Sequence, residues 1–549
     1  MWRKAKWIML AATAVAFMLA FSKPADTYFE VAKNLDIFAT LFKEVNAYYV
    51  DEVDPKQLIR KGIDGMLESL DPYTDFIPEE ELEGFRITTT GQYAGIGALI
   101  GIVNKKTIIT HPYKNFPAYK AGLKVGDEII AVDGVDAQGK STAEVSTLLK
   151  GPAKTDVEIR IRRQGQKNDL VFKIKRERIS IRNVAYAGML NEEVGYIKLD
   201  DFTPGAGKEV ADATVKLKQQ GAKKLILDLR DNPGGMLHEA VNIVNLFIPK
   251  GKEVVSMKGK VADWNKTYTT LNNPLDTEIP MIVLTGEGSA SASEIVAGAL
   301  QDYDRAVLIG RKTFGKGLVQ ATRQLSYNAQ LKVTTAKYYI PSGRCIQELD
   351  YTHRNADGTV DKVADSLKKE FKTSKGRKVF DGGGLDPDIT IEPEYLGTVT
   401  VALISAGHIF EYASKYCGEH PVQPDLKTFR LPDAEYDKFI AWLKERKFSY
   451  STPLEAETKQ LIEAAKQERY YAELAKDLET FKNKVETNKT ADFTRFKQEI
   501  SEVLEQQIAF HYALNEGQAL VSMSRDKAIS ESVSLLSDLQ SYRLILTPQ

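Results

Sequence analysis

The chain has 549 residues, 43% hydrophobic and 27% charged, which is enough for three to five domains with cores of their own. Lysine plus arginine is 74 against 75 for aspartate plus glutamate, a balance that argues against a nucleic-acid binder. Two cysteines, Cys345 and Cys417, allow one disulfide and exclude a four-cysteine zinc site. The six histidines show no H-E-x-x-H spacing, so no metal is expected.

Trp2-Arg3-Lys4-Ala5-Lys6 is a basic start, followed by an apolar run from Trp7 to Phe21. Ala20-Phe21-Ser22 offers small residues where a signal peptidase cuts. The 15-residue run is short for a spanning helix. Residues 1–22 therefore read as a signal peptide or, uncleaved, as a membrane tether through residues 7–21. Either way an exported protein is expected, periplasmic or held at the outer face of the inner membrane.

Residues 23–88 read as a helical segment, from about Asp26 to Phe85, with Leu41, Val45, Leu58-Ile59, Ile63 and Met66-Leu67 at helical spacings. Residues 89–177 turn β-rich, with short runs such as Ala98–Val103, Glu128–Val132 and Val157–Arg162 around a helix-like Ser141–Lys150. Gly95-Ile96-Gly97-Ala98 precedes the first of these strands. Ala121-Gly122-Leu123-Lys124-Val125-Gly126-Asp127-Glu128-Ile129-Ile130-Ala131-Val132-Asp133-Gly134 is a specific string, and with that order of elements the segment looks like a PDZ module. Consecutive backbone N–H groups in a glycine loop form an anion nest, and an exposed strand edge beside it can pair with an extended peptide. Gly95, Ile96, Gly97 and Ala98 are thus candidates for holding a substrate's C-terminal carboxylate. The junction near Arg176–Asn183 is expected to be flexible.

Residues 178–395 alternate strands with helices, implying βαβ units and a largely parallel sheet, with Gly317–Leu325 and Gln330–Ile340 as a closing hairpin. Residues 396–549 are helical and charge-rich. Leu474, Leu478, Phe481 and Val485 mark one apolar helix face there. The fold class is multidomain α/β: an N-terminal helical segment, a β-rich PDZ domain, an α/β core of ββα type, and a C-terminal helical domain open to a homo-oligomeric or adaptor role.

Chemistry concentrates in Thr285–Gly298. An apolar strand runs into small residues and straight into a helix, exposing Ser291 at the carboxyl end of a parallel strand. Ser291 with Glu294 also has the S-x-x-E spacing of a capping box, and the string is not a G-x-S-x-G elbow. Lys316, in Gly315-Lys316-Gly317, lies 25 residues further on. A helix of roughly 16 Å outward and a strand of roughly 20 Å back return the chain near its start, so Lys316 can meet Ser291. A third loop, Asp228–Gly235, also joins a strand to a helix and can aim N–H groups at the same spot.

As a set, these strings resemble the carboxyl-terminal processing protease family, serine peptidases that carry a PDZ domain. Thr335–Gln347 and Gly383–Asp388 add to the likeness, which covers roughly residues 35–395. The resemblance implies Ser291 as nucleophile, Lys316 as general base and Gln320 as the residue that positions the lysine amine. It also implies an oxyanion hole from the N–H of Ala292 and that of Gly234 or Gly235, which spacing does not decide between. Glu294 and Asp302 read as supporting structure. Cys345 stands where a small hydroxyl residue is more usual.

The expected activity is endoproteolysis of exported proteins or peptides near their C-termini, with no metal or organic cofactor and no nucleic acid. A Ser-His-Asp site using His238 is the internal rival. A non-catalytic PDZ scaffold that binds tails, and an acyl-CoA enzyme on a similar ββα core, are rivals from other classes.

Overall fold

The computed structural model describes residues 22–351, 354–355 and 358–547. The leader or anchor expected over residues 1–22 lies, Ser22 apart, outside the described residues. Among those described, no helix is long and apolar enough to cross a membrane. The chain divides into two compact units, one of residues 1–79 with 320–334, the other of residues 80–319 with 335–549.

The smaller unit begins with helices Ser22–Tyr48 and Pro55–Glu68. Asp54 caps the second by accepting from the N–H groups of Lys56 and Gln57, with Pro55 at the first helical position, where its missing N–H costs nothing. The helical segment is interrupted before helix Leu82–Thr90. Asp71 accepts from the N–H groups of Tyr73 and Thr74, both at 2.8 Å, and turns the chain. Asp75–Ile77 then pairs antiparallel with Gln330–Lys332. Helical spacing could not anticipate this strand, because its partner is about 250 residues away in sequence.

In the larger unit the first module is a sheet ordered Ala98–Val103, Lys106–Pro112, Glu128–Val132, Asp156–Arg162, Leu170–Lys175, with Ala98–Val103 at its edge. Helix Thr142–Leu149 starts on a Ser141–Glu144 capping box and buries Val145 and Leu149 against Ile109, Ile159 and Ile161. The junction expected to be flexible is tied down. The incoming strand Gln92–Gly95 pairs with the outgoing strand Glu177–Ser180. The buried Arg176 guanidinium donates to the carbonyls of Leu148, Leu149 and Asp156. Asn183 donates through its backbone N–H and its side-chain amide to the Glu209 carboxylate, each at 3.0 Å.

The α/β core is built on a six-stranded sheet. In chain order its elements are β1 (Val184–Met189), β2 (Val194–Leu199), α1 (Ala206–Gln219), β3 (Lys224–Asp228), α2 (Leu237–Phe247), β4 (Met281–Thr285), α3 (Ala292–Asp302), β5 (Val307–Gly310) and β6 (Ile389–Thr390). The sheet order is β1-β2-β3-β4-β5-β6, and only β1 is antiparallel to its neighbour. The buried strands are runs of Ile, Leu and Val, as a sheet covered on both faces demands. Val210, Val244, Phe247, Val296 and Leu300 from α1–α3 pack on one face. Ala528, Ile529, Leu536 and Tyr542, from helices Lys527–Ser537 and Leu539–Leu546, cover the other. The C-terminal helical domain thus completes the core's third layer as well as forming its own core around Leu403, Tyr412, Phe439, Trp442 and Ile508.

Helix Tyr471–Thr490 buries Leu478 and Val485 but leaves Leu474 and Phe481 exposed. It has one main helical neighbour, Pro453–Gln467, which covers part of the apolar face. Both cysteines are free thiols, so the disulfide they could have formed is not made.

The helical domain also meets the first module. Lys114 pairs with Glu516 at 2.9 Å, and the His111 ring stands edge-on to Phe510. A side chain at Gly126 would strike Ser414. Beside this contact His511 is fully buried, its Nδ1 2.8 Å from the Gln507 carbonyl and its Nε2 2.8 Å from the Ser414 hydroxyl. The carbonyl accepts, so Nδ1 carries the proton and Nε2 accepts from Ser414. Burial pushes the ring down to about 4, so the folded state keeps it neutral where the unfolded chain, near 6.5, is already charged. The stabilisation is complete above pH 6.5 and is lost as pH falls toward 4, by roughly 3 kcal/mol. The urea midpoint should therefore fall more steeply between pH 7 and 4.5 in the wild type than in His511→Gln. Equal slopes would refute the assignment.

Candidate active site

Loops after three neighbouring parallel strands converge at the carboxyl end of the sheet, where open α/β folds keep their sites. The loop after β4 carries Ser291. The loop after β3 carries Asp228–Gly235, and the segment after β5 carries Lys316. Ser289 and Asn232 lock the first two together. The Ser289 hydroxyl donates to the Leu229 carbonyl at 2.8 Å, while the Asn232 carbonyl accepts from the Ala290 N–H at 3.1 Å and the Ser293 hydroxyl at 2.9 Å.

Ser291 sits at φ 55°, ψ −111°, directly before α3. An ordinary N-cap residue is in the β region. For a residue with a Cβ this backbone is strained, as found where a side chain must be presented to a ligand. The capping-box partner is nevertheless present: the Ser291 N–H donates to Glu294 Oε2 at 2.8 Å.

Glu294 does more than cap. The carboxylate is fully buried, and Oε2 also accepts from the Lys316 N–H at 2.9 Å. Oε1 accepts from the Gly315 N–H at 2.7 Å and the Thr313 hydroxyl at 2.6 Å. Burial pushes this carboxyl up to about 7, against the pull of its four donors. One oxygen therefore fixes the backbones of Ser291 and Lys316 side by side. On the carbonyl side the Tyr338 hydroxyl lies 3.1 Å from the Ser291 oxygen and 2.5 Å from the Lys316 oxygen. The out-and-back path along α3 and β5 thus closes as the spacing implied. Gly315, at φ 84°, permits the approach: a Cβ there would lie 2.6 Å from that of Glu348.

The two glycines of the third loop differ. A Cβ on Gly234, at φ 95°, would lie 2.6 Å from the Ala290 oxygen, 2.8 Å from the Ala292 nitrogen and 3.0 Å from Ser291 Cβ. Yet the Gly234 N–H is engaged, donating to Asn232 Oδ1 at 2.9 Å. Among the described residues the Gly235 N–H has no acceptor. Ala292 opens α3, where the first-turn N–H groups lack intrahelical partners.

Gln320 belongs to the smaller unit, and there its side-chain amide donates to Thr334 Oγ1 at 3.3 Å. Asp302 lies at the far end of α3, accepting from Arg344 and from the Ser342 N–H, both at 2.9 Å. His238 is exposed on α2, its nearest acidic partner being Glu239 at 3.6 Å.

In the first module Ile96 and Gly97 form the turn between Gln92–Gly95 and the edge strand that Ala98 opens. Ile96 is buried, and its carbonyl accepts from the Ala118 N–H at 2.8 Å. Between the edge strand and helix Thr142–Leu149 lies a cavity of about 360 Å³, lined by Ile96, Ala98, Leu99, Ile100, Ser146 and Leu149 among others. Burial of this mainly apolar lining leaves the outer strand edge open for pairing.

Residues 193–353 match the profile of Peptidase family S41, residues 108–163 that of the PDZ domain, and residues 399–536 that of the C-terminal helical domain of probable PDZ-proteases. The chain is 38% identical over 324 residues to the carboxy-terminal-processing protease of Bartonella bacilliformis, covering 58% of this chain and 74% of that protein. It is 37% identical over 337 residues to a probable CtpA-like serine protease of Staphylococcus aureus, 61% of this chain and 67% of that one. Among solved structures, a photosystem II D1 C-terminal processing protease matches with 27% identity over 66% of this chain and 94% of that one, TM-score 0.34. These features define a serine-type peptidase with an attached PDZ domain. The chain belongs to the carboxy-terminal-processing proteases of peptidase family S41.

The residue that sequence reasoning undervalued is Glu294, whose capping-box spacing was the only local signal. Glu294→Gln keeps the shape but turns an NH₂ toward two donors. Misplacing reacting groups by about 1 Å costs on the order of 10²-fold in rate. The expected result is a loss of about that size in kcat on a peptide substrate, with KM little changed. A variant with wild-type kcat would remove Glu294 from the site.

Proposed function

We propose that Ser291 is the nucleophile and Lys316 the general base of an endopeptidase that cleaves exported proteins or peptides near their C-termini. The observation that carries this is the sharing of one buried carboxylate oxygen by the N–H groups of Ser291 and Lys316, with Ser291 held in a strained backbone. Lys316, half-buried, takes the Ser291 proton only when its amine is neutral. Attack on the scissile carbonyl gives a tetrahedral oxyanion, which accepts from the N–H groups of Ala292 and Gly235. Gly235 is the donor rather than Gly234, whose N–H is already committed to Asn232. Gly234 instead supplies the space beside Ser291. The amine then returns its proton to the leaving group, and later activates water on the acyl-enzyme. Gln320 is proposed to orient the lysine amine.

The PDZ module supplies the substrate handle. A peptide tail adds to the edge strand Ala98–Val103, its last apolar side chain in the cavity and its carboxylate at the Gly95–Ala98 turn. The apolar run at residues 7–21 supports export or tethering at a membrane.

Ser291→Ala should abolish cleavage while leaving tail binding intact. Lys316→Ala should lower kcat by roughly 10²–10⁴-fold, the usual worth of a general base. Both are read by mass spectrometry of peptide products, and full activity in the lysine variant ends the dyad. Amidating a substrate's C-terminus should raise KM with little change in kcat, because only the handle is lost. An unchanged KM would remove the carboxylate from recognition.

A further inference from the structure

A short antiparallel hairpin, Glu370–Lys372 paired with Lys378–Phe380, has two faces of opposite character. Phe371, Thr373, Arg377 and Val379 alternate onto the inner face, and the last three are buried. The Arg377 guanidinium donates to Asp304 and Asp388, each at 2.6 Å, and to the Gln301 carbonyl at 2.8 Å. The Ser374 N–H donates to the Asp302 carbonyl at 2.7 Å. The carboxyl end of α3 therefore holds this hairpin firmly on the core.

Glu370, Lys372, Lys378 and Phe380 share the outer face, and all four are exposed. Lys369, just before the first strand, and Lys375, in the turn, are exposed as well. Glu370 answers Lys378 at 3.1 Å. Among the described residues Lys369, Lys372 and Lys375 have no acidic partner, whereas the neighbouring Lys368 has Asp365 at 2.6 Å. Lys372 also stands directly opposite Lys378, a like-charge pairing that destabilises a two-stranded ribbon. The chain concentrates this positive charge locally although its formal net charge is only −1.

We propose that this hairpin docks the protease core on a membrane surface of anionic lipid. Clusters of about four to eight lysines or arginines suit such surfaces, because each ammonium is drawn to the negative headgroups. Lys369, Lys372, Lys375 and Lys378 meet that number. Phe380, 44% exposed, stands among them, and Leu367, 69% exposed, lies at the entrance to the hairpin. An aromatic ring beside ammonium groups fits the headgroup boundary, where the ring enters the acyl edge and the charges stay among the phosphates. A dissolved polyanion offers the lysines the same attraction but gives the apolar side chains nowhere to bury. The proposal goes beyond the peptidase reading and takes from it only the expected export, which brings the chain beside a membrane. Stable attachment takes two signals, and the apolar run Trp7–Phe21, where retained, supplies the other. Where it is removed, the hairpin gives a reversible contact that salt screens.

The test uses the purified full chain with vesicles of mixed phosphatidylglycerol and phosphatidylcholine, against vesicles of phosphatidylcholine alone. Lysines are acetylated briefly and quantified by mass spectrometry. On the anionic vesicles Lys369, Lys372, Lys375 and Lys378 should label roughly fivefold more slowly, because a surface that favours the ammonium by that factor depletes the reactive free amine equally. Lys167, Lys173 and Lys208, exposed elsewhere, should label alike on both. Lys369→Gln, Lys372→Gln and Lys375→Gln combined should cut the preference for anionic over neutral vesicles by about a hundredfold, roughly fivefold per charge. Lys167→Gln, Lys173→Gln and Lys208→Gln combined remove equal charge and should leave it intact. Phe380→Ser should weaken vesicle binding severalfold without changing binding to polyphosphate. Every variant should cleave a free peptide as the wild type does, which shows the fold is kept. Equal labelling of the hairpin lysines on both vesicles overturns the proposal, and so does an unchanged preference in the hairpin triple variant. Protection by polyphosphate equal to that by vesicles, with Phe380→Ser altering neither, would assign the hairpin to a soluble polyanion instead. Cleavage of the free peptide is read separately, so a failure here leaves the peptidase reading standing.

Discussion

The carboxyl end of the core sheet, where the candidate active site lies, is organised around one buried carboxylate. Glu294 has no solvent exposure, and an ionised carboxylate taken from water costs several kcal/mol unless donors replace the solvent. Here four do: the N–H groups of Ser291, Gly315 and Lys316, and the Thr313 hydroxyl. Segments 313–316 and 289–291 belong to no strand or helix, so no ladder of backbone bonds sets their spacing. Together with one backbone bond, from the Phe314 N–H to the Ser289 carbonyl at 3.0 Å, the carboxylate sets it. Its two oxygens divide the task, one holding the approach to the lysine and the other holding serine and lysine together.

Asn232 performs the matching service for the third loop. Its amide donates to the Leu199 carbonyl, anchoring the loop to β2. Its Oδ1 takes the Gly234 N–H, and its own carbonyl takes Ala290 and Ser293. The side chain is wholly buried with these bonds made, the condition under which a buried polar group stabilises rather than costs. By occupying the Gly234 N–H, it leaves the next one, that of Gly235, as the one with no acceptor among the described residues.

How much of this could be read from the chain depends on how far apart the partners lie. The position of Ser291 was legible because strand, small-residue loop and helix are contiguous. Lys316 was legible because one helix and one strand have known lengths. Glu294 was legible only as the partner of Ser291, three residues before it, since its other donors are 19–22 residues away and three of its four bonds come from backbone N–H groups, which any sequence supplies. The choice proposed between Gly234 and Gly235 rests on a single bond, from the Gly234 N–H to Asn232 Oδ1. The strand Asp75–Ile77 and the pairing of Gln92–Gly95 with Glu177–Ser180 were hidden for the same reason: local spacing carries no information about a distant ladder. Arg176 lies in the junction expected to be flexible. In the fold it is buried and spends its donors on carbonyls.

That tying-down limits how the PDZ module can move. The module is held on one side by its paired incoming and outgoing strands and on the other by the helical domain. The strand pair leaves little freedom for a swinging linker. The second attachment is made by side chains, with Gly126 packed on Ser414 and Val103 on Gly407 beside individually light polar and ring contacts. An exposed ion pair such as Lys114–Glu516 is worth about 0–1 kcal/mol, and an edge-on ring contact such as His111–Phe510 about 0.5–1.5 kcal/mol. Tyr113, which lines the groove, lies between His111 and Lys114, so a bound tail and the helical domain touch neighbouring residues of one segment. A tail can release the module only by binding better to the released form than to the docked one. A preference of about 2 kcal/mol, some thirtyfold in affinity, would offset contacts of that strength. The side-chain attachment, rather than the strand pair, is therefore where a substrate tail could act.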